Sequence, residues 1–227
     1  MWNRVDVKNR GKASFKRNYW PSVLVAIIFN LFFGATAASV ANAGSQAGST
    51  EVEGEVTPEL IMIAMAVLAV VIGFLTVAKI VDIFLLNPLE VGCDRFFIAN
   101  QEANAQFGEL GYAFRNNYIG TVLGIFIRDL ILAIGYALFI VPGCILTYSY
   151  RLVPYILADE QKIGAIDALK KSREMMKGHK WNAFVYDLSF IGWFILSGFT
   201  FGLLGVFYVF PYKFNSDAAL YQAIKRG

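Results

Sequence analysis

Six ionisable residues interrupt otherwise apolar stretches of this chain: Lys79, Asp82, Arg128, Asp129, Arg151 and Asp187. Three are bases and three are acids, so they could neutralise one another, hold a charged ligand or pass a proton. A charge within a membrane-spanning helix costs roughly 2.5–3.5 kcal/mol on insertion scales, which makes each a functional suspect. At about 1.5 Å of rise per residue, Lys79 and Arg128 fall about 14 Å from the cytoplasmic boundary of their spans, and Arg151, Asp82 and Asp187 about 9–11 Å. The expectation is one inward-facing, mutually paired cluster in the inner half of the bundle. Asn30 of the first span stands at the repeat position that matches Asp129. Two readings stay open: a structural network in which Lys79 and Arg151 snorkel to the headgroups, or a binding or proton-linked site. The outer half of the spans carries no charge, which argues against a continuous polar channel and for a cavity open to the cytoplasm or inner leaflet.

Other chemistry is poorly represented. His179 is the single histidine and has no acid or cysteine partner in sequence, so it suggests neither a triad nor a metal site. No Gly-rich phosphate loop precedes a helix. Glu51-Val-Glu-Gly-Glu55 lacks the spacing of a calcium loop and reads as a solvated acidic segment. Cys93 is expected in a cytoplasmic loop and Cys144 near the outer face, where they cannot pair. No catalytic residue, cofactor or metal is implied, and the chain is read as a non-enzyme.

The elements that must position the six charges are membrane helices. The 227 residues are 57% hydrophobic and 16% charged, against roughly 45–50% and about 25% in soluble domains. That composition excludes a soluble enzyme, a disordered chain and a disulfide-stapled secreted domain. Charge-free stretches of spanning length predict helices at about 20–41, 60–86, 118–140, 143–158, 181–198 and 201–216, with the third and fourth divided at Pro142-Gly143. Lys/Arg residues cluster before the first span (Arg4, Lys8, Arg10, Lys12, Lys16, Arg17), between the fourth and fifth (Lys162, Lys170, Lys171, Arg173, Lys177, Lys180) and in the tail (Lys213, Lys225, Arg226). The first outer loop holds only acids, Glu51, Glu53, Glu55 and Glu59. By the positive-inside rule both termini are cytoplasmic and the number of spans is even. Lys16-Arg17, an apolar run and Ala41-Asn42-Ala43 imitate a cleavable signal. The run is long for one, and the first segment belongs to an internal repeat, so it reads as a retained anchor.

That repeat has three copies: Ala13-Ser-Phe-Lys-Arg-Asn-Tyr-Trp20, Tyr112-Ala-Phe-Arg-Asn-Asn-Tyr-Ile119 and Glu174-Met-Met-Lys-Gly-His-Lys-Trp181. Lys16, Arg115 and Lys177 correspond, as do Asn18, Asn117 and His179. Trp20, Tyr118 and Trp181 would seat the following spans at the interface. A second echo, Asn87-Pro88-Leu89, Val153-Pro154-Tyr155 and Phe210-Pro211-Tyr212, places Pro88, Pro154 and Pro211 where the even-numbered spans reach the cytoplasmic face. The expected fold is an all-α membrane protein of six transmembrane helices in three hairpin repeats. Each repeat is preceded by a cytoplasmic amphipathic helix, and the whole makes one multipass domain of units at about 1–88, 89–154 and 155–227. Repeats occur in transporter folds and follow equally from duplication of a hairpin. Residues 163–177 alternate apolar positions with Lys170, Lys171, Arg173 and Lys177, an interfacial helix suited to anionic lipid. Positive-inside topology alone also accounts for these bases. Balancing acids disfavour nucleic acid as a partner. Gly192 to Gly205 is spaced for close helix packing.

A run of motifs carries a resemblance. These are Val141-Pro-Gly143, Tyr148-Ser-Tyr150, Pro154-Tyr-Ile-Leu-Ala-Asp159, Ala168-Leu-Lys-Lys-Ser172, Met175-Met-Lys-Gly-His-Lys-Trp181, Ser189-Phe-Ile-Gly-Trp193, and Tyr208-Val-Phe-Pro-Tyr212 with Tyr221. Together they resemble the domain of unknown function 975 family, found mainly in Gram-positive bacteria. The C-terminal half carries the resemblance strongly, and Arg17-Asn-Tyr-Trp20 more loosely. The chain is also distantly similar to the membrane domain of some glycerophosphodiester phosphodiesterases, without their soluble hydrolase domain. The resemblance implies a multipass protein of the bacterial cytoplasmic membrane and brings no substrate or catalytic residues. The functional expectation is a lipid- or amphiphile-binding or scaffold module contacting anionic inner-leaflet lipid, a membrane-protein partner or further copies of itself. The alternative is a small transporter or an export or immunity factor.

Overall fold

The computed structural model describes residues 2–31 and 58–226, the side chain of Leu60 excepted. Within these residues the chain is all-helical, with no strand. Helix α1 (Arg4–Arg17) starts where the Asn3 side chain accepts the Val5 N–H at 2.9 Å, satisfying one of the orphan donors of the first turn. It stops at Asn18, and α2 (Tyr19–Phe29) follows directly. Helix α3 (Pro58–Val81) passes through a π-helical turn (Asp82–Leu86) into α4 (Asn87–Glu102). A 3-10 turn (Phe107–Gly111) and the short α5 (Tyr112–Arg115) lead to α6 (Tyr118–Leu138) and α7 (Ile140–Tyr150). Then come α8 (Val153–Asp159), α9 (Ala165–Met175), α10 (Lys180–Leu188) and α11 (Ile191–Phe199). A second π-helical turn (Gly205–Val209) opens into α12 (Phe210–Lys225).

Among the described residues, four segments are long and apolar enough to cross a membrane: Ile61–Glu102, Tyr118–Leu138, Ile140–Asp159 and Lys180–Phe199. Together they point to a membrane protein. Of the span expected at 20–41, α2 is described. Residues 32–41, the signal-like cleavage motif at 41–43 and the acids Glu51, Glu53 and Glu55 lie outside the described residues. The span expected at 201–216 divides into a turn, a π-helical turn and the start of α12, and is not among the four.

The prolines do something other than end helices. Pro88, Pro154 and Pro211 each occupy the first turn of a helix that runs on, α4, α8 and α12. Proline lacks an N–H and crowds the carbonyl four residues back. Before Pro88 and Pro211 the preceding turn widens to the π form, a known accommodation inside helices. Before Pro154 the chain instead makes a turn at Arg151-Leu152. Proline therefore does not close the inward spans: the helices expected at 143–158 and 201–216 already run through Pro154 and Pro211, and α4 continues beyond the end expected at 86. The helices that follow the prolines form the core, where Phe97 of α4 lies 5.5 Å from Phe214 of α12, and Tyr155 of α8 stacks 5.7 Å from Tyr221 of α12. Cys93, expected in a loop, is fully buried inside α4. The break expected at Pro142-Gly143 falls at Phe139, whose extended backbone separates α6 from α7. Pro142 is instead in the first turn of α7, where proline is tolerated. Gly143 lets α7 approach α6, since a Cβ there would stand 2.4 Å from the Tyr136 ring.

In contrast, α3 is exposed along its length. The N- and C-terminal helices are packed together. Gly11 of α1 meets Ser216 of α12 so closely that a Cβ would lie 2.3 Å from its Oγ and 2.5 Å from its Cα. Gly11→Ala is expected to separate these helices and to destabilise the purified protein by roughly 1–3 kcal/mol, the usual range for overpacking. Thermal unfolding in detergent measures this, and Gly73→Ala, with open space around it, is the control that stays near wild type.

Candidate functional site

The charges inside the bundle are gathered by helix ends that face one another. Arg151 leaves the end of α7 and meets Asp187 of α10 and Asp217 of α12. Its Nη1 donates to Asp187 Oδ2 at 2.6 Å, and its Nη2 to Asp187 Oδ1 at 3.1 Å and Asp217 Oδ1 at 2.8 Å. Lys213, one turn before Asp217 on α12, donates to Asp217 Oδ2 at 2.7 Å and lies 3.1 Å from Asp187 Oδ1. Two tyrosines complete the shell. Tyr148 donates to Asp187 Oδ2 at 3.1 Å and Tyr186 to Asp217 Oδ1 at 3.0 Å. The Arg151 guanidinium and the Lys213 ammonium both stand over the Tyr186 ring, at 5.7 and 5.0 Å, adding cation–π attraction. Two bases and two acids cancel, and the tyrosine hydroxyls add further donors to the two carboxylates.

A second group forms on α6 and α4. Arg128 forks onto Glu90, with Nη1 to Oε1 at 2.8 Å and Nη2 to Oε2 at 3.1 Å, and its Nε donates to Asp129 Oδ1 at 2.8 Å. This bidentate geometry is the strong form of the Arg–carboxylate pair. Asp94 of α4 and Tyr155 of α8, both buried, sit side by side between the two groups. On the quartet's other side, Lys8 of α1 donates to Ser189 Oγ at 2.9 Å and lies over the Phe190 ring at 4.3 Å. Burial first, then the nearby Lys213 and Arg4 charges, hold the Lys8 amine below its ordinary pKa.

The six expected residues therefore do not form one cluster. Arg151 joins Asp187, and Arg128 joins Asp129. Lys79 pairs locally with Asp82 at 2.7 Å on the exposed helix, with the Lys79 side chain 75% exposed. Asn30 donates to the Ala26 carbonyl of its own helix at 2.8 Å and takes no part. Arg151 is held inward and does not snorkel. Sequence reasoning missed Glu90, Asp94 and Asp217, which lie beyond the expected span ends at 86 and 216, and counted Lys213 only among the bases of the tail. The available signal was the i,i+4 spacing of Glu90 with Asp94 and of Lys213 with Asp217, which puts each pair on one helical face.

The residues at matching repeat positions share a behaviour. Asn18 donates to Asn100 Oδ1 at 2.9 Å and to the Ala105 carbonyl at 3.0 Å. Asn117, at φ 50°, donates to the Ile163 carbonyl at 2.7 Å. His179 Nδ1 accepts from Trp2 Nε1 at 3.2 Å. Asn100 continues the first of these inward by donating to Asn215 Oδ1 at 2.7 Å. Of the interface residues, Trp20 and Trp181 are exposed, and the Tyr118 hydroxyl donates to the Phe84 carbonyl at 2.7 Å. Of the spaced glycines, Gly205 makes the expected close approach, to Ser197, while Gly192, Gly198 and Gly202 have open space.

Several openings lie outside the charged groups, three of them among the helices from α7 to α12 and α4. A polar cavity of about 420 Å³ sits among the C-terminal turns of α4, α8 and α12, lined by Arg95, Glu102, Asp159, Lys225 and Arg226 among others. A groove of about 470 Å³ runs along α9 to the start of α10, lined by Lys170, Arg173, Glu174, Lys177 and Lys180. An apolar groove of about 330 Å³ lies between α7 and α10 and shares Lys180. Cys144, expected near the outer face, lines this last groove together with Lys180, expected at the inner boundary. The reason is that α10 lies beside α7, tied to it through Tyr148, Arg151 and Asp187, and α7 has 11 residues, about 16 Å of rise.

Chemically, the quartet neutralises charge and locks α7, α10 and α12 together. Arg151→Ala would leave Asp187 and Asp217 with one cation between them. It is expected to destabilise the protein by roughly 3–5 kcal/mol, as removing one partner of a buried pair does. Lys79→Ala, on an exposed local pair, is expected to change stability by less than about 1 kcal/mol. Thermal unfolding of both variants in one detergent checks the contrast.

Comparison with known proteins returns no matching curated protein and no matching solved structure, and the distant likeness to the phosphodiesterase membrane domain finds no counterpart there. Residues 56–227, which include α3 to α12 and so both charged groups of the bundle, match the family described as protein of unknown function (DUF975). With most of its length covered by that match, the chain belongs to the DUF975 family.

Proposed function

We propose that this protein is a non-enzymatic membrane scaffold that binds anionic lipid of the inner leaflet, in the bacterial cytoplasmic membrane. The observation that carries the reading is the division of its charge. The bases inside the bundle, Arg128, Arg151 and Lys213, are paired with carboxylates. The bases Lys170, Arg173, Lys177 and Lys180 gather at the surface without such partners among the described residues. Bases already paired with carboxylates are not available to an anionic ligand, whereas a free basic surface attracts anionic headgroups.

The proposed architecture has six spans in three hairpin units, with amphipathic helices on the cytoplasmic side and both termini there. Contact between α1 and α12, which puts the N- and C-terminal helices side by side, supports the shared location of the termini. The contacts of Asn18, Asn117 and His179 support the units. Asn18 of the first reaches Ala105 in the second, Asn117 of the second reaches Ile163 in the third, and His179 of the third meets Trp2 of the first. Each unit thus grips the next, and the third returns to the first. A tilted α6–α7 hairpin would bring Cys144 to the level of Lys180, whose groove it shares. Tilts up to about 40° are usual for membrane helices.

A second reading, a small transporter, draws on the polar cavity among α4, α8 and α12, which has both signs of charge on its walls. Purified protein is expected to retain anionic phospholipid through size exclusion, measured by lipid extraction and mass spectrometry. Ion- or proton-coupled flux in proteoliposomes without retained lipid would replace the scaffold with the transporter. Reporter fusions at Gly227 and within residues 44–57 are expected to report inside and outside, respectively. An external C-terminus would sink the six-span arrangement.

A further inference from the structure

The basic groove and the apolar groove are neighbours, and their chemistry is complementary to the two ends of one molecule. Along α9 and into α10, Lys170, Arg173, Lys177 and Lys180 face one opening of about 470 Å³, with Glu174 as its single acid. None of these bases has an ion pair or hydrogen bond among the described residues. Lys171 on the same helix turns the other way and pairs with Glu160, so the free bases are those that face the groove. Free ammonium and guanidinium groups around one opening repel each other until an anion arrives, and phosphate oxygens suit an arginine fork and lysine point charges.

Lys180 then connects to different surroundings. On its far side the apolar groove of about 330 Å³ is walled by Cys144, Ile145 and Tyr148 of α7 and by Trp181 and Phe184 of α10. Ile145 and Trp181 are exposed there, and Trp181 lies 5.4 Å from the Phe184 ring, making a continuous aromatic wall. Tryptophan at such a seam is suited to the boundary between headgroups and acyl chains. A soluble anion would use the basic half and leave the apolar wall bare. A neutral lipid would use the apolar half and leave the bases unpaired.

We propose that the two grooves form one site for an anionic phospholipid, its phosphate against Lys170, Arg173, Lys177 and Lys180 and an acyl chain along Ile145, Trp181 and Phe184. The assignment rests on the lipid-binding reading above and narrows it to one place and one chemical class. It also gives Cys144 a use as a reporter. Cys144 is exposed in the groove, while Cys93 is buried, so a maleimide added to the folded protein reads Cys144.

The test uses the full chain in mixed micelles, with phosphatidylglycerol and phosphatidylcholine as probes and native mass spectrometry to count bound lipid. The groove variant is Lys177→Gln with Lys180→Gln. The charge-matched control is Lys12→Gln with Lys16→Gln, exposed bases of α1. The expected result is preferential binding of phosphatidylglycerol to wild type and control. The groove variant should bind it roughly 30-fold more weakly, about fivefold for each base removed from an anionic surface. Phosphatidylglycerol should also slow maleimide labelling of Cys144 in wild type, with phosphatidylcholine and free glycerol phosphate having little effect. This second readout needs no variant, so it stands even if the groove variant folds poorly.

Equal losses in both doubles would show attraction to net charge alone and overturn the site. So would wild-type retention of phosphatidylglycerol with Cys144 still freely labelled, although the broader lipid reading would survive that result. Failure of wild type to retain any anionic lipid would remove both. Ready disulfide cross-linking of two copies through Cys144 would mark the groove as an interface between copies and overturn the lipid assignment.

Discussion

A guanidinium among apolar helices must be neutralised where it stands, because moving its charge out of water costs several kcal/mol even after relaxation. Arg151 meets that demand by binding Asp187 and Asp217 together, and the arrangement of the C-terminal half follows from it. Asp187 fixes where α10 lies against α7. Asp217 fixes the rotation of α12, and with it the positions of Lys213, one turn earlier, and of Tyr221, one turn later on the α8 side, where it stacks on Tyr155. Replacing such a network with apolar residues often preserves stability. Its value here is therefore best understood as positional, since it admits one pairing of three helices.

The other organising constraint is the proline within each turn that leads to the core. A helix that meets proline loses a hydrogen bond and gains a clash. The π-helical turns before Pro88 and Pro211 absorb both and let α4 and α12 continue. Because they continue, the chain has a buried centre built partly from α4, which sequence reading would leave in a cytoplasmic loop. Polar side chains reach that centre in pairs: Asn100 with Asn215, Arg128 with Glu90 and Asp94 beside Tyr155. Unpaired polar groups in such surroundings are costly, and the pairing ties the N-terminal, middle and C-terminal parts of the chain into one body.

The division of charge links this architecture to function. Bases that are needed to hold helices together are consumed by carboxylates. Lys170 and Arg173 of α9, with Lys177 and Lys180, have no structural use of this kind and face a groove beside an apolar wall. A protein built this way has a paired interior and a surface whose charge is still available, and the proposed scaffold role rests on that contrast.

The sequence by itself determined the class of protein, its helical character and its family, because composition, the absence of charge over spanning lengths and local motifs are properties of the chain alone. It also marked Arg128, Arg151 and Asp187 as costly, and the matching Asn18, Asn117 and His179 as turning points. Only the tertiary structure decided which charges meet. Lys79 and Arg151 look alike in a hydropathy reading, yet one is exposed beside its own Asp82 and the other is held by two separate helices. Glu90, Asp94 and Asp217 lay beyond the expected ends of their spans. Pairing depends on the rotation and continuation of helices, and both are set by packing between segments far apart in the chain, which no local pattern encodes.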